Sequence, residues 1–129
     1  MRIDVRNQGS DYHADASSGM ALDIVFGASK SAEDKTMNPV ELFAASLALC
    51  VAAMLRKHCN ERELECGEIK ATVEGDWEPG DPMCQNIEVT ATVEGDWDER
   101  RKAAFLKVAQ TCPVHESIVN CAGVNIHIV

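Results

Sequence analysis

Residues 42–55 read Leu-Phe-Ala-Ala-Ser-Leu-Ala-Leu-Cys-Val-Ala-Ala-Met-Leu, an apolar run broken only by Ser46. A helix start stands directly before it. Asn38 is a good N-cap, Pro39 suits the first helical position, and Glu41 can close a capping box. Arg56, Lys57 and His58 follow the run, where cations complement the negative end of a helix dipole. A helix that is apolar on nearly every side needs other elements over most of its surface. The run is too short to cross a bilayer, so it reads as a core helix and no membrane association is expected. Cover on that scale also exceeds what one small sheet and two short helices can give, which predicts a homodimer with this helix in the interface.

The remaining chain supplies mixed elements. With 129 residues and 14.0 kDa, a single domain over 1–129 is expected. Leu22, Ile24 and Phe26 alternate with Asp23 in a strand over 20–26, and a polar, mobile loop is expected over 27–36. Further on, Ile69, Ala71, Val73 and Trp77 share one strand face. Ile87, Val89, Ala91, Val93 and Trp97 share another, and Glu78-Pro79-Gly80-Asp81-Pro82 forms the turn between them. The heptapeptide Ala-Thr-Val-Glu-Gly-Asp-Trp occurs at both 71–77 and 91–97. In an antiparallel hairpin the copies run in opposite directions and put Trp77 and Trp97 at opposite ends, so they mark equivalent strand environments rather than a motif. Asp98 caps a second helix that buries Ala104, Phe105, Val108 and Ala109. Cys112-Pro113 ends it, a short helix over 113–121 follows, and Val124, Ile126 and Ile128 face inward from a last strand. The fold class is α+β, with antiparallel sheets packed on a long buried central helix.

Net charge is −9. Between residues 61 and 99 the only basic residues are Arg62 and Lys70. Such a surface repels phosphate backbones, which argues against nucleic-acid binding. The first residues, Met-Arg-Ile-Asp-Val-Arg, lack the apolar core of a signal peptide, so a cytoplasmic protein is expected. In that compartment six cysteines argue against a disulfide framework. No spacing is Cys-x-x-Cys, and His58, Cys59 and Cys66 lack metal-ligand spacing, so neither a metal nor another cofactor is expected.

Two cysteines stand in distinctive settings. Cys112 precedes Pro113 at a helix start, where unpaired N–H groups and the dipole lower a thiol pKa. The bland alternative is a sulfur that merely caps. Cys50 lies within the apolar helix, where burial without a charge partner raises the pKa and favours packing over chemistry. Ser46 and Met54, four residues either side, share its face. His115, three residues after Cys112, is a candidate base or a solvated first-turn residue. Cys59 and Cys121 each lie nine residues beyond one of the pair, half a turn away, and are not expected to resolve it. Cys66 and Cys84 flank acidic strands and read as plain structural or surface thiols.

These segments together resemble the OsmC/Ohr superfamily, the osmotically inducible and organic hydroperoxide resistance proteins. The resemblance rests on Asn38-Pro39-x-Glu41-Leu42-Phe43-Ala44-Ala45 leading to Cys50, on Met54-Leu55-Arg56, on Cys112-Pro113-Val114, and on the order of elements. It implies an α+β fold and an intertwined homodimer with both thiols at the subunit interface. It also implies that Cys50 is the peroxidatic thiol and Cys112 the resolving one, with hydroperoxide as substrate. The resulting disulfide would be reduced by an external thiol, commonly a dihydrolipoyl group. For the two thiols this reverses the ranking that local sequence supports.

The chain departs from the peroxidase branches of that family. They carry an acid directly after Asn-Pro, paired with an arginine of the N-terminal loop. Here the position is Val40, Glu41 comes one residue later on the far helix face from Cys50, and only Arg2 and Arg6 lie near the N-terminus. Two readings stay open: a thiol-dependent peroxidase acting on organic hydroperoxides, or a non-catalytic redox sensor or binder of a small apolar ligand at the dimer interface.

Overall fold

The computed structural model describes residues 1–9, 11–25 and 36–129. They divide into two compact units, Met1–Leu42 and Phe43–Val129. The first holds a three-stranded antiparallel sheet in the order β1 (Ile3–Gln8), β2 (Asp11–Ala16), β3 (Ala21–Val25). Little in β1 and β2 announces strands, because β2 is the polar stretch Asp-Tyr-His-Ala-Asp-Ala. Their polar side chains pair across the sheet instead. Arg6 donates to Asp15 at 2.9 Å, and His13 bonds Asp15 at 3.0 Å with one ring nitrogen and Asp23 with the other. The end at Phe26 of the one strand expected in this region, over 20–26, and nearly all of the expected loop over 27–36, lie outside the described residues.

The long helix α1 (Pro39–Glu61) starts with the expected reciprocal cap. The Asn38 N–H donates to Glu41 Oε2 at 2.8 Å, and the Glu41 N–H donates to Asn38 Oδ1 at 2.9 Å. At 23 residues it outlasts the apolar run and is long and apolar enough by composition to cross a membrane. Its deepest residues, however, form a protein core. Leu47, Val51, Leu55 and Cys59 recur every four residues along one stripe and are buried together with Phe105 and Cys112. The expectation of a helix buried nearly all round is thus corrected within this chain. Phe43 and Leu49 are exposed, because only one side of α1 is covered.

The cover comes from a hairpin and a second helix. Strands β4 (Ile69–Asp76) and β5 (Gln85–Val93) pair antiparallel, with Ala71 opposite Ala91 and Val73 opposite Val89, so the heptapeptide copies do run in opposite directions. The turn closes where the Asp81 N–H donates to Glu78 C=O at 2.9 Å, with Gly80 at φ +106°, a region that glycine enters without strain. Ile69, Ala71, Val73, Ile87 and Val93 pack on the core. Helix α2 (Glu99–Gln110) is capped by Asp98, whose carboxylate accepts from the Arg101 N–H at 2.8 Å. Phe105 from α2 meets the Trp97 ring edge to face at 5.3 Å and the His58 ring at 5.9 Å. After α3 (Pro113–Asn120) the chain takes no regular structure. The expected inward-facing last strand is therefore corrected. Val124, Ile126 and Ile128 are 82%, 83% and 93% exposed, because no sheet edge among the described residues receives them.

Candidate active site

Two neighbouring elements bring Cys50 and Cys112 together. Cys50 sits midway along α1. Cys112 is the N-cap of α3, as the sequence predicts, with its sulfur accepting from the His115 N–H at 3.5 Å. The two free thiols are close enough to act on each other electrostatically, and the Val114 N–H lies near enough to the Cys50 sulfur to favour its thiolate. Pro113 explains this sharing. A helix start leaves its first N–H groups unpaired, and proline removes one of them. Of the next donors, the His115 N–H goes to the Cys112 sulfur and the Glu116 N–H to the Cys112 carbonyl at 2.9 Å, which leaves the Val114 N–H to act on the Cys50 sulfur.

The electrostatics of Cys50 are mixed. Burial pushes its thiol up, and the hydrogen bond and charge of the adjacent Cys112 push the same way, while the Val114 N–H pulls it down. No cation acts on this thiol among the described residues. Arg56 is committed elsewhere, its guanidinium donating to Cys66 C=O at 3.1 Å and Gly67 C=O at 2.6 Å. Access differs between the two sulfurs. Cys112 is fully enclosed at 0% exposure, whereas Cys50 is half-buried.

The supporting candidates do not all gather there. Met54 packs against the core beside Cys50. Ser46 is exposed and spends its hydroxyl on the Phe43 carbonyl at 2.7 Å, and Glu41 is held by its own cap. The His115 ring faces the Gln110 carbonyl, with Nδ1 at 3.1 Å. His115 also lines a cleft of about 710 Å³ walled by Leu47, Val51, Leu55, Phe105 and the β5 strand. The thiols do not line this cleft, and His115 on α3's first turn reaches it from beside Cys112.

The remaining cysteines differ from the sequence reading at one point. Cys66, expected as a plain thiol, instead forms a disulfide with Cys59, with Cα atoms 6.3 Å apart. Their separation of seven residues carries no recognised motif. Only the return of the chain after α1 brings them together. Cys84 and Cys121 remain free. The Val114 amide was also missed, although a proline at the first helical position implies that the following N–H groups point out of the helix end.

The sequence matches a protein family described as OsmC-like protein over residues 32–127. No curated protein matches it. Among solved structures, an OsmC like protein from Mycoplasma pneumoniae aligns with TM-score 0.70 at 16% identity, covering 95% of this chain and 90% of that one. An organic hydroperoxide resistance protein OsmC from Legionella pneumophila aligns with TM-score 0.62 at 19% identity, covering 93% and 90%. The organic hydroperoxide resistance protein OhrB of Bacillus subtilis is 25% identical with TM-score 0.57, again covering 93% and 90%. The α+β architecture with antiparallel sheets and three helices is common ground with these proteins.

Proposed function

Because the chain belongs to the OsmC-like family, we propose that it is a thiol-dependent peroxidase that reduces organic hydroperoxides. The observation that carries this reading is a pair of free thiols in mutual contact, one accessible and one enclosed. The half-buried Cys50 meets the peroxide first. Its thiolate attacks one oxygen, the O–O bond breaks, and the leaving alkoxide takes a proton to become an alcohol. Cys50 is left as a sulfenic acid. Cys112, enclosed beside it, then attacks that sulfur and water leaves, forming the Cys50–Cys112 disulfide. An external dithiol, of the dihydrolipoyl type common in this family, restores both thiols by exchange. Kinship with organic hydroperoxide resistance proteins supports a redox or peroxide-resistance role. The working form is a homodimer in the cytoplasm, in which the partner supplies the cation that the described residues do not bring to Cys50.

A second reading has its own observation. A Cys50 thiol pushed up, with no cation among the described residues, suits a slow redox sensor or a binder of small apolar ligands. Lipoamide-coupled consumption of cumene hydroperoxide by the purified protein separates the two. Turnover is expected in the wild type and is lost in Cys50→Ser, which lacks the attacking atom. Cys112→Ser reacts once, leaves a sulfenic acid that a dimedone probe traps, and over-oxidises in excess peroxide. Wild-type protein inert toward every hydroperoxide would leave the sensor or ligand-binding reading standing.

A further inference from the structure

We propose that Cys59 and Cys66 form a second dithiol–disulfide couple, a redox site separate from Cys50 and Cys112 and served by an uncharged dithiol. The two are joined while the other four cysteines are free, so thiol and disulfide coexist in one chain. What marks a working couple rather than a staple is that the corner carrying the bond is held without it. The Leu64 N–H donates to Cys59 C=O at 2.9 Å, which already turns the chain back at the end of α1. Arg56 clasps the Cys66 and Gly67 carbonyls. The Gly67 N–H donates to Glu94 C=O at 3.0 Å, and the Glu94 N–H to Glu68 C=O at 2.8 Å. A disulfide stabilises chiefly by closing a loop in the unfolded chain, and a loop this short gives a gain at the low end. The folded corner therefore survives opening of the S–S bond.

Access to the bond is one-sided. Cys59 is wholly enclosed and Cys66 half-buried, so an attacking thiolate enters at the Cys66 sulfur. Cys59 leaves as a thiolate and takes a proton. The second thiol of the reductant then attacks the mixed disulfide and frees Cys66, leaving the reductant as a cyclic disulfide. Two electrons and two protons pass to the pair. In the opposite direction the pair gives two electrons and two protons to a hydroperoxide, which becomes an alcohol and water as the S–S bond forms. Glu61, Glu63, Glu65 and Glu68 flank Cys66 in sequence and outnumber Arg62 and the Arg56 guanidinium on the Cys66 carbonyl, a net negative setting that repels an anionic thiol such as glutathione and favours a neutral dithiol. Distance along the helix keeps Cys50 from direct exchange with Cys59. Cys50 and Cys59 are nine residues apart on α1, roughly 13 Å along the axis and half a turn round.

The test uses the wild-type protein, equilibrated over a series of ratios of reduced to oxidised dithiothreitol, then alkylated and read cysteine by cysteine by mass spectrometry. Cys59 and Cys66 are expected to become modified together, from under a tenth to over nine-tenths across about a hundredfold change in ratio. Far-UV circular dichroism stays unchanged throughout. Cumene hydroperoxide added after removal of the reductant re-forms the bond, and glutathione at equal thiol concentration opens it at least tenfold more slowly. Cys59 and Cys66 modified to unequal extents, or remaining thiols after peroxide, would overturn the proposal. So would loss of the dichroism signal on reduction, which would make the bond a structural staple. Each cysteine is read separately, so an inert Cys50–Cys112 pair changes none of these outcomes.

Discussion

Burial and an adjacent thiol keep the proton on Cys50, and a single amide N–H works against them. With the balance on the side of the neutral thiol, little thiolate exists at neutral pH. Alkylation of Cys50 by iodoacetamide should then rise by about tenfold per pH unit through neutrality and beyond the ordinary thiol range before levelling. A plateau already reached at pH 7 would mean that another group lowers the pKa. His13 behaves in the opposite sense to a buried histidine. Its hydrogen bonds to Asp23 and then Asp15 favour the imidazolium and raise its pKa above 6.5. A raised folded-state pKa contributes stability that is fully present below the unfolded value and fades as pH rises through the folded one. His13→Gln should therefore weaken the β1–β3 sheet at pH 5.5 and make little difference at pH 9. Urea unfolding of both proteins at the two pH values, monitored at residues 1–25, checks this. A difference that grows with pH would refute the assignment.

At the level of elements, α1 serves two faces at once. The Leu47, Val51, Leu55 and Cys59 stripe is the core of the second unit, and Leu55 is only 1% exposed. Leu55→Ala should lower unfolding stability by about 2–5 kcal/mol, the usual range for a buried leucine whose neighbours close in only partly. Chemical denaturation that shows a loss under about 1 kcal/mol would mean that the stripe is not the core. This helix and α2 were legible in advance for local reasons, since the Asn38, Pro39 and Glu41 start of the one and the Asp98 cap of the other depend on residues three positions apart. Strands β4 and β5 were legible through their alternation. Strands β1 and β2 were not, because cross-strand ion pairs such as Arg6 with Asp15 take the place of an apolar face and leave no period to read.

For the whole molecule, the apolar surface left over points to a second copy. Leu49 on α1 is 70% exposed, and the tail carries Val124, Ile126 and Ile128 outward in alternation, a strand pattern without a sheet. Burial of these residues removes apolar area from water, at roughly 25 cal/mol per Å². Light scattering should give twice the 14.0 kDa protomer mass. Leu49→Asp should shift the protein toward monomer while leaving the Leu55 core folded. Monomer alone across a wide concentration range in the wild type would exclude the dimer.

Local chemistry lets the sequence determine a good deal by itself: the capped central helix, the hairpin, the α+β class, and Cys112 at a helix start. Each follows from contacts within a few residues or from a simple period. Tertiary structure alone decided what the sulfurs do, because their partners come from chain segments far apart in sequence. Cys50 meets Cys112 across 62 positions, the difference of their residue numbers, and receives an N–H from Val114, an arrangement that no spacing rule encodes. Cys59 meets Cys66 because the chain leaving α1 folds back over the helix end under hydrogen bonds to Cys59 and from Arg56. The tail shows the converse. Its alternation is plain in sequence, but a strand forms only where an edge waits to pair its N–H and C=O groups, and the described residues offer it none.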